Sequence, residues 1–206
     1  MHIAVAGNIG SGKTTLTTML AKHYGWRPQF EPVIENPYLE DYYQDIRRWA
    51  LNLEIYFLKE RFKGMLEIGQ SEATVIQDRS IFEGVYVFAY NNMEQGNMSQ
   101  TDFKTYMDLF QLMMEFTRVP DLMIYLRATV PHLVSNIQKR GREYEQRISL
   151  DYLQGLNTRY EDFIYRHYKG RVLTVEVDDI DFLNCPSDFE MITRRIDGLL
   201  FGLFPN

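Results

Sequence analysis

The sequence has very little cysteine, no long apolar run and no excess of positive charge. Its 206 residues include a single cysteine, Cys185, which cannot form an internal disulfide and is typical of a reducing compartment. No stretch of about 18 uncharged apolar residues is present, so no membrane-spanning helix is expected. The formal net charge of −6 argues against a nucleic-acid polymer as partner, because such binders need a broad basic surface. Together these absences favour a globular cytoplasmic protein without membrane contact.

The chain does contain a glycine-rich motif, GNIGSGKT at 7–14, directly after the apolar run HIAVA at 2–6. It matches the pattern G-x-x-x-x-G-K-[ST], in which backbone N–H groups at a helix N-terminus bind phosphate oxygens. Lys13 adds positive charge near the β and γ phosphates, and the Thr14 hydroxyl can ligate Mg²⁺. Because this loop begins at residue 7, no leader peptide is expected. The residues predicted to contact a nucleoside triphosphate here are Gly7, Asn8, Ile9, Gly10, Ser11, Gly12, Lys13, Thr14 and Thr15.

Apolar runs typical of buried strands alternate with segments of helical spacing along the whole chain. The strand-like runs lie within 2–6, 28–39, 73–80, 121–128 and 171–178. The main helical patterns cover 13–25, 43–69, 101–116 and 149–168. This alternation predicts one α/β domain over residues 1–206, with a parallel sheet of about five strands flanked by helices on both faces.

The helical pattern at 101–116 is apolar around most of its circumference. Such a helix is expected to be buried on more than one side. We therefore expect it to pack against its own chain and also against a second copy, which predicts a homodimer.

Charged residues follow two of the predicted strands and one helix. Glu31 ends the second strand, Asp78 and Arg79 end the third, and a basic cluster at 139–147 follows a helix. The carboxyl ends of parallel strands meet at one edge of a sheet, where ligands bind. The guanine-reading N-K-x-D motif of GTPases and the LSGGQ signature of transport ATPases are both absent. A small-molecule kinase, with an acceptor pocket and a cationic lid at 139–147, is the remaining class.

Six motifs in this order and spacing resemble the deoxynucleoside kinase family, in particular its bacterial deoxyadenosine, deoxycytidine and deoxyguanosine kinase branch. They are GNIGSGKT (7–14), EPV with NPYL (31–39), RRW with LEIYFLKERF (47–62), QDRSIFE (77–83), RGREYE (140–145) and DDIDF (178–182). The resemblance implies a P-loop kinase fold, ATP and Mg²⁺ as phosphate donor and metal, a deoxynucleoside 5′-hydroxyl as acceptor, and a homodimer.

The resemblance also implies catalytic roles for particular side chains. Glu31 would be the general base for the 5′-hydroxyl, and Arg79 would keep Glu31 ionised and contact the 5′ oxygen. Asp78 is an alternative base, although its place near Thr14 suits Mg²⁺ better. Arg140 and Arg142 would close over the transferring phosphoryl group and, with Lys13, stabilise its charge.

Further residues are candidates for holding the two nucleosides. Glu145 and Tyr43 resemble the pair that grips the sugar 3′-hydroxyl, although a packing role suits Tyr43 nearly as well. Asp181 and Phe182 resemble the segment that flanks the adenine of ATP. Phe88 is a candidate for stacking on the acceptor base.

The acceptor base is predicted from Glu54 and Arg61, which lie seven residues apart on one helix face. A carboxylate only accepts hydrogen bonds and an arginine only donates, a pair that complements the donors and acceptors of guanine. Relatives that accept adenine or cytosine usually have glutamine in place of Glu54 and aspartate in place of Gly84. Deoxyguanosine is therefore the preferred substrate on this reasoning. Deoxyadenosine, alone or with deoxycytidine, is the alternative, and Glu54 and Arg61 could also form a simple ion pair.

Two other functions compete with this interpretation. A nucleoside monophosphate kinase would need extra cations for the acceptor phosphate, and Arg47, Arg48 and Lys59 are the candidates. A non-catalytic nucleotide-binding subunit would be expected to have lost part of the catalytic set, which is complete in this sequence.

Overall fold

The computed structural model describes residues 1–31, 36–142, 145 and 148–202. Its centre is a five-stranded sheet in the order β2-β3-β1-β4-β5, in which every neighbouring pair is parallel. The strands are β1 (His2–Gly7), β2 (Arg27–Gln29), β3 (Val75–Asp78), β4 (Leu122–Arg127) and β5 (Val172–Glu176). The register pairs Val5 with Asp78, so the phosphate loop after β1 leaves the sheet beside the end of β3. The predicted fold class is confirmed.

The helices follow the strands in alternation. They are α1 (Lys13–Tyr24), α2 (Leu39–Gln44), α3 (Ile46–Gly69), α4 (Ile81–Glu83), α5 (Tyr90–Glu94), α6 (Gln100–Met114), α7 (Val130–Arg140), α8 (Leu150–Asp162) and α9 (Pro186–Leu200). A π-helical segment, Gly84–Ala89, joins α4 to α5, and a second, Phe163–His167, extends α8. None of the helices in the described ranges is long and apolar enough to cross a bilayer.

Local sequence signals explain several helix boundaries. Gly25 ends α1 in the left-handed conformation (φ 69°), and Ser80 and Glu83 form the capping box that the pattern S-I-F-E at 80–83 predicts at the start of α4. The single helix predicted from Tyr43 is wrong, because Asp45 leaves the helical conformation (φ −143°, ψ 84°). The Asp45 side chain instead accepts a hydrogen bond from the Arg48 N–H and caps α3, a role typical of aspartate.

Apolar residues cover both faces of the sheet, as the buried strands require. On one face, Ile3 and Val5 of β1 pack with Leu16 and Leu20 of α1 and with α9. On the other face, Ala4 of β1 belongs to a cluster formed by residues of α8 and the two π-helical segments. Alternate residues of one strand therefore face opposite layers, and the catalytic candidates are left at the carboxyl edge between them.

The helix α6 is covered in part by its own chain. Within one chain only Tyr106 and Phe110 of α6 are buried, while Leu112 and the following Phe116 are exposed. The apolar pattern is thus only partly covered by the chain itself. Covering by a second copy remains a prediction, and a native mass measurement would test it by showing twice the chain mass.

Candidate active site

The phosphate loop is held in shape by neighbouring helices. The Asn8 side chain donates to the Leu153 carbonyl (3.1 Å) and to Asn157 Oδ1 (2.8 Å), which ties the loop to α8. Gly10 has φ 87°, and a Cβ there would lie 2.7 Å from the Leu133 carbonyl oxygen. Only glycine satisfies both conditions. The loop is therefore preshaped before any nucleotide binds.

Lys13 lies at the centre of this loop. It is 7% exposed, and its Nζ donates to the Asn8 carbonyl at 2.8 Å. Burial, followed by the nearby Arg79, lowers the pKa of Lys13 to about 8. The negative charge of a bound phosphate would raise the pKa of Lys13 again, so that Nζ stays protonated.

Thr14 and Asp78 bring two oxygen atoms together beside the loop, with Thr14 Oγ1 donating to Asp78 Oδ2 at 2.5 Å. In the described part of the chain, no group of three or more His, Cys, Asp or Glu side chains could hold a metal by itself. Mg²⁺ usually takes one or two protein oxygens together with substrate phosphates and water. The two residues fit a nucleotide-bound Mg²⁺, as the sequence predicts, and do not form an independent metal centre.

Glu31 stands opposite the loop between two arginines. Arg61 Nε donates to Glu31 Oε1 at 3.0 Å and Arg61 Nη2 contacts the same oxygen, while Arg79 Nε lies 3.3 Å from Oε2. Burial acts to raise the pKa of Glu31, but Arg61, Arg79 and Lys13 outweigh it, and the pKa falls below its usual value. Glu31 is therefore ionised at neutral pH.

Arg79 reaches Glu31 from an unusual backbone conformation. It has a left-handed backbone (φ 71°), and its N–H donates to the Val5 carbonyl at 3.0 Å. Its guanidinium lies 4.4 Å from the centre of the Phe88 ring. Non-glycine residues with such φ values are uncommon and concentrate at functional sites. The strand end is thus shaped to turn Arg79 toward the cleft.

Three residues of the predicted lid contact one another at the cleft. Arg140 donates to Glu145 through Nε (2.9 Å) and Nη2 (2.7 Å), and Arg142 Nη1 lies 3.4 Å from Glu145 Oε1. Glu145 is 5% exposed, whereas both arginines are partly exposed. The rest of the predicted lid, residues 143, 144, 146 and 147, lies outside the described residues. The predicted sugar ligand and the predicted phosphoryl ligands therefore contact one another.

Glu54 forms the opposite end of the cleft and has no cationic partner. Its Oε1 accepts from Asn92 Nδ2 at 3.2 Å, while Oε2 is buried and unpaired. The Asn92 amide oxygen in turn accepts from Tyr42, whose hydroxyl lies 3.2 Å from that of Tyr152. Burial raises the pKa of Glu54 to about 8, although Arg61 opposes the shift. The alternative of a simple Glu54–Arg61 ion pair is wrong, because Arg61 is turned toward Glu31.

Gly84 has no side chain, which leaves space for the Arg61 guanidinium. A Cβ at residue 84 would collide with Arg61 Nη1 and lie 3.2 Å from Tyr106 Oη. Both of those polar atoms are buried without a partner. An aspartate at this position, as in the relatives considered above, could not coexist with the observed position of Arg61. The absence of a side chain therefore lets Arg61 reach Glu31.

One cleft of about 310 Å³ joins these groups. It is lined by fourteen predicted site residues, namely Ile9, Gly10, Lys13, Thr14, Glu31, Tyr43, Glu54, Arg61, Asp78, Arg79, Phe88, Arg140, Arg142 and Glu145. Asp181 and Phe182 are placed elsewhere: Phe182 packs against Gly12, and Asp181 is exposed and bonds Asn184. Their predicted place beside the ATP adenine stays a prediction.

Several residues of the site were missed from the sequence. Glu83 is fully buried and accepts from the Ser80 N–H (2.7 Å), Tyr160 Oη (2.8 Å) and the Gly7 N–H (3.4 Å). The capping-box pattern was a signal for Glu83, but not for its contact with the phosphate loop. Asn92 and Tyr106 carried no signal, because they come from helices far away in the sequence: Asn92 bonds to Glu54, and the Tyr106 hydroxyl lies near Gly84.

The strand order, the phosphate loop after β1 and the facing carboxylate define a P-loop kinase fold. The sequence profile of one family, described as deoxynucleoside kinase, matches residues 3–200. The chain belongs to the deoxynucleoside kinase family, and its relatives transfer phosphate to deoxynucleosides. The predicted family and enzyme class are confirmed.

Individual relatives cover nearly the whole chain. A deoxyadenosine/deoxycytidine kinase of Bacillus subtilis is 40% identical over 96% of this chain and 92% of its own length. A deoxyguanosine kinase of the same organism is 35% identical over 96% of this chain and 97% of its own length. A deoxyadenosine kinase from M. mycoides, solved with bound dATP, superimposes with a TM-score of 0.85 at 32% identity and covers 96% and 100% of the two chains.

Proposed function

We propose that this protein transfers the γ-phosphoryl group of ATP to the 5′-hydroxyl of a purine 2′-deoxynucleoside. The observation that carries the proposal is that Glu31 faces Lys13 and Thr14 across one cleft, with Glu54 at its far end. The donor and acceptor halves of a phosphoryl transfer thus share a single space. Deoxynucleoside salvage in the cytoplasm is the corresponding cellular role.

Glu31 acts on the acceptor hydroxyl. Ionised by Arg61 and Arg79, it accepts the hydrogen bond of the 5′-hydroxyl and receives its proton as the oxygen attacks phosphorus. Phosphoryl transfer demands little covalent chemistry from the protein, so alignment of this hydroxyl is the main contribution. Arg79, whose Nε lies 3.3 Å from Glu31 Oε2, would contact the 5′ oxygen in this arrangement.

The phosphoryl group is held from the donor side. Lys13 and the backbone N–H groups of residues 7–14 bind the β and γ phosphates. Arg140 and Arg142 contact the transferring group from the lid, which requires them to exchange part of their bonding to Glu145 for phosphate. A Mg²⁺ held by Thr14 and Asp78 together with the nucleotide would neutralise charge on the phosphates.

The acceptor base lies between Phe88 and the Glu54 end of the cleft. The sequence favours deoxyguanosine, which requires an ionised Glu54 to accept from guanine N1 and N2. Two observations favour deoxyadenosine instead: burial disfavours the charge on Glu54, and two relatives at 40% identity are named as kinases of deoxyadenosine. We therefore propose both purines as acceptors, with the charge of Glu54 deciding between them.

A nucleoside monophosphate acceptor is less well supported. Arg47, Arg48 and Lys59, the candidates for binding an acceptor phosphate, are exposed and none of them lines the cleft. An assay that compares deoxyguanosine with its monophosphate would separate the two acceptors.

The decisive experiment gives the purified protein ATP, Mg²⁺ and each of the four deoxynucleosides in turn. We expect 5′-monophosphate from deoxyguanosine and deoxyadenosine. Lys13→Met is the control for phosphate transfer by this site, since it removes the cation that contacts the phosphates. Failure to phosphorylate any of the four nucleosides would refute the proposed function.

A further inference from the structure

Glu54 is a carboxylate of the cleft whose second oxygen is buried and has no hydrogen-bond donor among the described residues. The residue is 2% exposed, its Oε1 is bonded to the Asn92 amide, and its Oε2 is buried without a partner. An ionised carboxylate buried with a single neutral hydrogen bond is costly, because a charge removed from water needs a counter-ion. A protonated carboxyl in the same place is neutral and needs no counter-ion. Its O–H needs one acceptor, and its carbonyl oxygen needs one donor.

The charged and titratable groups around Glu54 do not supply that counter-ion. Arg61 of α3 and Arg79 after β3 both contact Glu31. The negative charge of Glu31 also acts to raise the pKa of Glu54. The remaining titratable neighbours are neutral tyrosines, namely Tyr42 of α2, Tyr106 of α6 and Tyr152 of α8. Both arginines thus contact Glu31, and among the described residues neither of them forms an ion pair with Glu54.

Resting on the proposed function, we propose that Glu54 carries a proton at neutral pH and reads the acceptor base as a combined donor and acceptor, so that base preference changes when the proton is lost. The protonated carboxyl has an O–H at Oε2 and a carbonyl at Oε1, which has a lone pair beyond the one used by Asn92. This is the same donor and acceptor pair that a glutamine amide presents.

Two hydrogen-bonding patterns of nucleobases match the two states of Glu54. Adenine offers a ring acceptor beside an amino donor, which matches the protonated carboxyl. Guanine offers two donors at N1 and N2, which match the ionised carboxylate. Deoxyadenosine is therefore the substrate of the protonated enzyme and deoxyguanosine that of the ionised enzyme. A glutamate can in this way read the base as glutamine does, without losing the ability to read guanine.

The first test follows the ratio of kcat/KM for deoxyadenosine to that for deoxyguanosine between about pH 6 and about pH 8.5. The ratio cancels ionisations that affect both substrates alike, such as those of Glu31 and Lys13. We expect it to fall by up to about tenfold per pH unit, as the protonated fraction of Glu54 falls relative to the ionised fraction. In Glu54→Gln the ratio should be high and independent of pH. The exposed Glu190→Gln on α9 is the matched control and should behave as the wild type.

The second test needs no catalysis and so separates this inference from the proposed function. A group whose pKa is raised on folding makes the folded state take up a proton, so stability falls as pH rises. We expect the folding equilibrium constant of the wild type, divided by that of Glu54→Gln, to fall by about tenfold per pH unit between about 4.5 and about 8. Urea denaturation at several pH values measures this. If Glu54→Gln does not fold, Glu54→Met serves as the reference.

Each result decides the matter. A stability ratio that is flat with pH overturns the proposal even if both nucleosides are phosphorylated. A pH-dependent stability ratio with a flat substrate ratio shows a protonated Glu54 that does not read the base, and also overturns it. A pH-dependent stability ratio with no phosphorylation of any nucleoside leaves Glu54 protonated but overturns base reading together with the proposed function.

Discussion

The two ends of the cleft treat a buried carboxylate in opposite ways. At the phosphate end, Glu31 contacts two arginines and Asp78 accepts from Thr14. At the base end, the one hydrogen bond that Glu54 makes within the described residues comes from the neutral amide of Asn92. The difference shows that the local supply of cations, and not burial alone, sets the charge of each carboxylate. Burial favours the neutral form at both ends, and only Glu31 has enough positive charge nearby to overcome it.

Arg61 creates this difference, because it lies on the same helix face as Glu54 but bonds to Glu31. The lack of a side chain at Gly84 allows Arg61 to bond to Glu31, since a side chain there would displace the Arg61 guanidinium. Mutations that change one end of the cleft at a time test whether the charges of Glu31 and Glu54 are controlled separately.

The largest effect is expected from Glu31→Gln. An amide holds the site together but cannot receive the proton of the 5′-hydroxyl, so kcat should fall by about 10²- to 10⁴-fold. Steady-state kinetics with deoxyguanosine and deoxyadenosine would measure the loss, with Glu190→Gln as control. Retention of more than a tenth of the wild-type kcat would contradict the role given to Glu31.

The next largest effect is expected from Arg61→Met. Arg61 lowers the pKa of Glu31, so its removal should raise that pKa and reduce the ionised fraction at low pH. The acidic limb of the kcat/KM profile should therefore move to higher pH by about one unit or more, the usual effect of one adjacent opposite charge. An unchanged limb, measured with a single nucleoside, would mean that Glu31 does not depend on Arg61.

Gly84→Asp should act at the base end. The new carboxylate should draw Arg61 away from Glu31 and place negative charge beside the acceptor base. We expect kcat/KM for deoxyguanosine to fall by about tenfold, which corresponds to one charge-assisted hydrogen bond. Gly69→Asp is the control, because a side chain there meets nothing within 4 Å. Equal losses in the two variants would show that Gly84 has no special part.

The smallest effect is expected from Tyr106→Phe. The Tyr106 hydroxyl is buried without a partner, so its removal should change the free energy of unfolding by less than about 1 kcal/mol. Tyr160→Phe is the matched comparison, because that hydroxyl donates to Glu83 at 2.8 Å and its loss should cost about 1–2 kcal/mol. Urea denaturation measures both, and a larger loss for Tyr106→Phe would show that its hydroxyl has a stabilising partner.

The parts of the fold that were predicted correctly are those coded by neighbouring residues. Four of the five strands could be predicted because each contains a short apolar run, whereas β2 is the polar segment Arg27–Gln29, and the start of α4 could be predicted from its capping box. The break at Asp45 between α2 and α3 was missed. The apolar residues from Tyr43 to Gly69 keep a helical spacing because the break is only one residue long. The apolar pattern of α6 was recognised, but periodicity does not state which of its apolar residues the chain itself covers.

For the active site, the sequence by itself determined the phosphate loop, because residues 7–14 contain the glycines, the lysine and the hydroxyl that phosphate binding requires. It also determined which charged residues follow the strands. The tertiary structure was needed to show that the Arg61 guanidinium bonds to Glu31. It was also needed to show that Glu54 forms no ion pair within the described residues. Those partners come from the segment after β2, from α3, from α5 and from the segment at Gly84, and the energy of a buried charge depends on all of them at once.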